Sequence, residues 1–544
     1  MKLPFVRKRS LYSVLTVCAV VIAVARIVSS YPAISQTWDE TDHLACGMQM
    51  LDRGTYDYEV LHPPVSRLFI AALPYADGAR SHGDRSRWKE GNEILFAQGT
   101  YWRTLTLARL GVLPFFILAI VSLWVWTKKM FDERTACFAV VFFTLLPPVL
   151  AHAGVATTDM PLTGVFLAAC VAFDWWLERP SLLWTLWLGI LIGTGCATKF
   201  SFLTFFPIAA IVILSFKFGV KHRFPKLFRK RTLRAIASVA AISAITLWAW
   251  YGFSFGPVVL PTQVASLQFW MQQHHTPHAL QGVIHWTMAL SLPAPEFFRG
   301  LGWLGTLRSG FYLLGHPLMG KSSILFFPVA LSVKTPVAFL ILVLVSLLLV
   351  VRAKQWSAPS VIPLAIATLM LVLVLFSTID LGTRHILPLY AMLAILASVA
   401  AVELIGLQKP YGAMLLGAFI VWTGVSSFRY GKDQIAYFNE FAGAHPEHYL
   451  LDSDLDWGQD LDKMADTVRV RHIDSSLAMY YFGSADPLEH GFPPYTMLVP
   501  DRVPNAQWVV ISKSALYAEP GFWWLKSREP VAEAGNSMLL YRLN

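Results

Sequence analysis

Apolar residues along this chain gather in long runs rather than in a two-residue or helical-face period. Runs of span length lie near residues 11–30, 104–126, 135–151, 160–177, 182–198, 201–217, 235–255, 336–351, 360–377, 386–405 and 411–428. A bilayer crossing needs about 20 apolar residues, so the pattern predicts roughly eleven transmembrane helices. Two long polar stretches interrupt it, at about 31–103 and 256–335, and a polar, turn-rich tail follows residue 428. The chain therefore reads as a transmembrane unit, 1–428, carrying two long outer loops. A C-terminal extracytoplasmic α+β domain, 429–544, is of a size that folds on its own.

Composition agrees with this pattern. The sequence is 55% hydrophobic and only 14% charged, whereas soluble domains carry about 25% charged residues. The net charge of +10 excludes little by itself. Its Lys and Arg concentrate at the N-terminus (Lys2, Arg7, Lys8, Arg9), at 127–134 and at 217–234. In an eleven-span arrangement those three segments share one side, which the positive-inside rule makes cytoplasmic. Nucleic acid is not an expected partner. The first apolar run reads as a retained span. Four of the five cysteines sit inside apolar runs and none forms a C-x-x-C pair, so neither a disulfide framework nor a zinc knuckle is expected.

Candidate chemistry lies at the outer ends of the spans. In "SQTWDETDHL", Thr37 and Glu40 stand at capping-box spacing, and Leu44, Met48 and Leu51 recur at helical spacing up to Gly54. An amphipathic helix on the outer membrane surface is expected there, with Asp39 and Glu40 in a first turn that favours carboxylates. Caps alone account for such acids, but charged groups recur at other outer helix ends. "LHPPVSRLF" carries His62 and Arg67, "GVATTDMPL" carries Asp159, "LSVKTPVAF" carries Lys334, and "STIDLGTRHILPLY" carries Asp380, Arg384 and His385. Ionisable groups at the membrane boundary are costly and mark function. Together they suit an anion held at the lipid surface beside a proton-accepting carboxylate.

Three other patterns are weaker. "GHPLMGKS" at 315–322 satisfies the P-loop spacing without its strand-to-helix setting. "HHTPH" (His274, His275, His278), with His285, has no acid or Cys nearby to complete a zinc set. "LDSDLDWGQDLD" (Asp452, Asp454, Asp456, Asp460, Asp462) is out of register for a calcium loop, and reads as the lead-in to the outer domain that also faces an acceptor.

The stretches "WDETDHLACGMQML", "HPPVSRLF", "TTDMPL", "ATKFSFL", "GHPLMGKSSILFFPVALSVKTP", "GTRHILPLY" and "YFNEFAG" with "LDSDLDWGQDL" run in order from about residue 37 to 462. In them the chain resembles the polyprenyl-phosphate-dependent membrane glycosyltransferases of the GT-C class (glycosyltransferase family 39), in the branch of protein O-mannosyltransferases and aminoarabinose lipid A transferases. The resemblance implies an all-α polytopic GT-C fold. It also implies inverting transfer of a hexosyl or pentosyl group from an undecaprenyl or dolichyl phosphate to an acceptor hydroxyl outside the cytoplasm. By family position Asp39 is the base or positions the acceptor, and Glu40 supports it. Arg67, where Lys is frequent, grips phosphate, followed by His62, Arg384, His385 and Lys334, with Lys199 weaker. Asp159 matches the second-loop acid. A divalent cation, held by Asp39 and Asp159, is left open, since the mannosyltransferase branch works without one. The implied partners are the lipid-linked donor, membrane lipids, and a protein, lipid or glycan acceptor. The implied location is a bacterial inner membrane with the site facing the periplasm, and no N-x-[ST] sequon speaks against that. The rival class, a transporter or flippase for lipid-linked sugars, calls for internal repeats and mid-membrane charges. Neither is evident here.

Overall fold

The computed structural model describes residues 11–97, 99–219, 230–260, 281–282, 286, 290–353, 359–407 and 410–543. Among them, seven helices are long and apolar enough to cross a membrane: Leu11–Ser30, Tyr101–Met130, Asp159–Glu178, Phe202–Gly219, Leu233–Trp250, Thr383–Gly406 and Tyr411–Phe428. Two bent helix pairs raise the number to nine, and two shorter apolar helices, Leu182–Cys196 and Val361–Leu375, accompany them. Each of the eleven apolar runs thus has its element, and the integral-membrane expectation holds. The basic residues Lys2, Arg7, Lys8 and Arg9, much of the 217–234 loop, and His274, His275, His278 and His285 lie outside the described residues.

Both bends have one cause. Glu133–Leu145 meets Pro147–Ala153 at 68°, and Phe326–Lys334 meets Val337–Arg352 at 116°. Leu146 precedes Pro147 and Thr335 precedes Pro336. The proline ring pushes the preceding residue out of the helical region, and both are extended, at φ −72°, ψ 120° and φ −114°, ψ 132°. The second bend leaves Lys334 at its corner.

The helix Trp38–Arg53 begins and ends where its sequence requires. Glu40 accepts from the Thr37 N–H at 2.8 Å, and Gly54 caps the other end at φ 67°. It does not lie half-exposed on a membrane surface, as amphipathic spacing suggests. Residues 40–49 are all buried, because helices Pro64–Ala76 and Arg87–Phe96 pack on it from two sides. Glycines permit both approaches: a Cβ on Gly47 would stand 2.1 Å from the Arg67 carbonyl oxygen, and one on Gly91 would stand 2.3 Å from that of Thr41. Gly47→Ala is accordingly expected to destabilise by about 1–3 kcal/mol through overpacking, read as a lowered unfolding temperature in detergent.

The C-terminal part carries a five-stranded mixed sheet in the order Ala532–Ala534, Met538–Arg542, Trp508–Ser512, Leu477–Tyr480, Tyr495–Met497. Strand alternation divides its side chains between two cores. Leu477, Met479 and Val510 face the helix Leu461–Val470, while Ala478, Val509 and Ile511 face Leu516 and Phe522. These cores begin at Leu461. Upstream, Ala436, Phe438, Leu450, Leu451 and Leu455 belong to the main helical core, so much of the segment 429–460 is built into the transmembrane unit rather than into a separate domain.

Candidate active site

The outer loop, the 3₁₀ turn Thr383–Ile386 and the "DSDLDWGQ" segment meet at one point. Backbone bonds join them first: Ser35 N–H donates to the Gln459 carbonyl and Trp38 N–H to that of Trp457, each at 2.9 Å. Asp39, in the first turn of its helix, then faces Arg384, whose Nη1 donates to Asp39 Oδ2. The Arg384 guanidinium lies 4.4 Å over the Trp457 ring. The 383–386 turn is itself held by Asp454, which accepts from the Thr383 hydroxyl at 2.7 Å. Asp452 sits in the left-handed region at φ 53°. Its N–H donates to Ser514 Oγ at 3.2 Å, and its carboxyl interacts with both Arg384 and Asp39.

Asp159 and Lys199 form the next layer. Lys199 Nζ donates to Asp159 Oδ1, and Asp159 interacts electrostatically with Arg384, His152 and His385. His385 in turn faces Lys199, Arg384 and His62. Among the described residues, four buried polar atoms in this group have no hydrogen-bond partner: Arg384 Nε, His385 Nε2, His152 Nδ1 and Asp159 Oδ2. Buried polar groups are normally paired. Unpaired donors on Arg384 and His385, with Lys199 beside them, make a receptor for an anion.

The other sequence candidates are committed elsewhere. Glu40 is gripped by Arg109, Nε to Oε1 and Nη2 to Oε2, both at 2.8 Å. It also accepts the Ala156 N–H at 2.7 Å. It pins the first loop to the segment before Asp159 and does not face Arg384. Arg67 is 0% exposed, and all five of its N–H groups have protein acceptors. Nε donates to His43 Nδ1 at 3.1 Å, Nη1 to Tyr56 Oη and the Glu59 carbonyl at 2.8 Å, and Nη2 to Asp42 Oδ2 at 2.8 Å and to Glu59 Oε2. No donor remains for a phosphate in this conformation. Burial raises the Asp42 carboxyl against the pull of Arg67. For Glu59 burial also opposes charge, but Arg67 and His62 outweigh it and hold the carboxyl well below the usual range. His62 Nδ1 pairs with Glu59 at 3.0 Å. Lys334 Nζ donates to the carbonyls of Ile435, at 2.8 Å, and of Asp454, bracing the segment that carries Asp452. "GHPLMGKS" opens no helix: His316–Pro317 folds back on Tyr312–Leu313 and the next helix starts at Phe326.

Among the described residues, a divalent cation does not fit Asp39, Asp159 or Asp42. Asp39 is paired with Arg384 and Asp159 with Lys199, so cationic side chains stand where a metal would. Asp42, His43 and His62 lie close enough to share an ion, but both Asp42 oxygens face arginines, Arg67 and Arg87, at 2.8 Å. His43 Nδ1 accepts from Arg67, which puts the neutral ring's proton on Nε2 and removes that atom as a ligand.

Sequence reasoning read the run of acids as a lead-in and weighted Lys199 low. The structure brings Asp452, Trp457 and Lys199 into the site. The density of acids next to "WGQ" was the available signal for the first two.

Burial pushes both Asp452 and Asp456 up to about 7, above the unfolded carboxyl value near 3.9. The folded chain therefore binds more protons than the unfolded chain between those values, and stability falls as pH rises through that window. Their contribution to the unfolding temperature is expected to be larger at pH 5.5 than at 7.5. Asp456→Asn, which keeps an acceptor for the Ser514 N–H now bound at 2.8 Å, should flatten the dependence.

Residues 104–251 match the family described as dolichyl-phosphate-mannose-protein mannosyltransferase, in keeping with the resemblance read from the motifs. The matched stretch includes Asp159 and Lys199 but neither Asp39 nor Arg384. No curated protein matches the sequence significantly. Among solved structures, ArnT from Cupriavidus metallidurans in the apo state aligns at 14% identity over 98% of both chains, with a TM-score of 0.49. The same protein bound to undecaprenyl phosphate aligns at 14% identity over 96% of this chain and 97% of that one, with a TM-score of 0.48. The oligosaccharyltransferase AglB from Archaeoglobus fulgidus, in complex with an inhibitory peptide and a dolichol-phosphate, aligns at 14% identity over 94% of this chain and 72% of that one, with a TM-score of 0.47.

Proposed function

We propose that the protein is an inverting glycosyltransferase. It moves a sugar from a polyprenyl phosphate to an acceptor hydroxyl on the extracytoplasmic side of a bacterial inner membrane. The observation that carries this reading is a pair of buried nitrogens with no partner among the described residues, Arg384 Nε and His385 Nε2, placed beside Lys199 and the Asp39 carboxylate. The family match over 104–251 supports it.

In this reading the donor phosphate lies against Arg384, His385 and Lys199. Asp39 Oδ2 is held by Arg384, while Oδ1 makes no hydrogen bond to a described residue, and is free to take the acceptor's proton. The acceptor oxygen then bonds to the anomeric carbon as the bond from that carbon to the phosphate oxygen breaks. The electron pair leaves on the polyprenyl phosphate, whose new charge the Arg384 and Lys199 cations stabilise, with His385 as a neutral hydrogen-bonding neighbour. Attack opposite the leaving group inverts the anomeric centre. Asp159 orients Lys199, and Asp452 flanks Arg384. No step requires a metal. The sugar is a hexose or pentose, with mannose first in line from the family match.

The test uses proteoliposomes supplied with radiolabelled polyprenyl-phosphate sugars and a membrane extract as acceptor. Wild type is expected to move label into a covalent product. Arg384→Ala is expected to lower kcat/KM for the donor by about 10²–10³, the effect of removing one preorganised charge-stabilising donor. Flux of donor across the bilayer with no covalent product would replace the transferase with a transporter.

A further inference from the structure

A cavity of about 400 Å³ opens between the first outer loop and the C-terminal sheet, within the size range of ligand pockets. It lies where the parallel strands Leu477–Tyr480 and Trp508–Ser512 end. Residues of the segments that follow them, Tyr481–Pro487 and Ser514–Glu519, form much of its lining. Carboxyl ends of parallel strands are a recurrent place for ligands. The cavity is tied to the site above at two points. Trp38, on its wall, precedes Asp39. Ser514, on its floor, accepts the Asp452 N–H at 3.2 Å.

Its chemistry differs from that of the cationic donor site. Trp38, Phe482 and Phe311 form a continuous half-buried aromatic wall, with Phe482 centred 5.0 Å from each of the other two rings. Tyr480, Tyr481 and Tyr495 add further aromatic surface, and among the described residues Glu519 is the only charged side chain in the lining. Among the described lining residues, an anionic ligand would meet a carboxylate and no counter-charge. A pyranose suits the cavity. The axial C–H groups of one sugar face carry partial positive charge toward the negative face of an aromatic ring, and its hydroxyl edge offers donors to a carboxylate.

We propose that this cavity is the acceptor site and that it takes a neutral saccharide, so that the transferred sugar extends a glycan. This rests on the transferase reading and names its acceptor class. The Asp39 carboxylate then stands at the end of the aromatic wall, where the terminal hydroxyl of a stacked saccharide arrives.

The test is saturation-transfer NMR on the full chain in nanodiscs. Neutral di- and trisaccharides, their uronic-acid counterparts and Ser/Thr peptides serve as probes, and undecaprenyl phosphate is titrated in parallel. Saturable binding of neutral saccharides is expected. Phe482→Ala and Phe311→Ala should each weaken it by about 2- to 10-fold, the range of one aromatic contact, without changing undecaprenyl phosphate binding. Uronic acids should bind more weakly than their neutral counterparts, and the conservative Glu519→Gln should narrow that gap. The inference is overturned if peptides bind and neutral saccharides do not. It is also overturned if neutral saccharides bind equally to both ring variants, or if none binds while undecaprenyl phosphate does; that last result leaves the transferase reading intact. A wild-type chain that binds no undecaprenyl phosphate overturns both.

Discussion

Asp39→Asn is expected to reduce transfer by about 10²–10⁴-fold, the contribution of a positioned general base, with little change in donor KM. The substitution keeps an oxygen for Arg384 Nη1, so the ion pair becomes a hydrogen bond and the turn carrying Arg384 keeps its place. The Asp39 side chain is partly buried, 21% exposed, so water screens part of the ion pair, and Asn leaves no uncompensated buried acceptor behind. The unfolding temperature should therefore stay close to wild type while kcat falls. The measurement is initial-rate transfer at several donor concentrations, set beside thermal unfolding of the same preparation. Full kcat in Asp39→Asn would remove Asp39 from the role of base and turn attention to Asp452, another carboxyl that interacts with Arg384.

The second large effect is on folding. Arg67→Ala is expected to cost about 3–5 kcal/mol, the range for breaking a buried ion pair by removing one partner. It leaves Glu59, 4% exposed, and Asp42, 7% exposed, without the guanidinium that joins them. Arg67→Lys should recover only part of the loss, because one ammonium cannot satisfy acceptors arranged around a five-donor planar fork. Thermal unfolding in detergent reads both variants. If Arg67→Ala instead unfolds like wild type but raises donor KM by about 10²-fold, a loss the size of one charge-stabilising donor, Arg67 is a phosphate ligand and the clamp described above is incidental.

Arg67 and Arg384 show how far one sequence can be read. Both stand at outer helix ends next to a histidine or within a few residues of one, and the resemblance ranks Arg67 ahead of Arg384 as the phosphate ligand. Their local sequence could not separate them, because a guanidinium's role depends on which acceptors reach it in space. Arg67 finds acceptors for all of its N–H groups within a 25-residue neighbourhood. Arg384 finds one carboxylate 345 residues away and keeps Nε unpaired. Glu40 was likewise legible as a capping residue, and it does accept the Thr37 N–H. Its bidentate partner, Arg109, lies 69 positions on inside an apolar run, where nothing marked it.

By itself the sequence determined that its apolar runs become helices, and their order, since backbone in lipid must satisfy its own hydrogen bonds and each run can do so only as a helix. It set the two sharp bends through proline, and the ends of the Trp38–Arg53 helix through Glu40 and Gly54. These are local effects, fixed by residues within a turn or two of one another. Only the tertiary structure decided that Asp39, Asp159, Lys199, Arg384, His385 and Asp452 gather in one site, that the expected surface helix is buried, and that an aromatic cavity opens against Trp38. Electrostatic pairing and cavity shape depend on distances in space between segments hundreds of residues apart, and those distances exist only once the helices and the C-terminal sheet have packed.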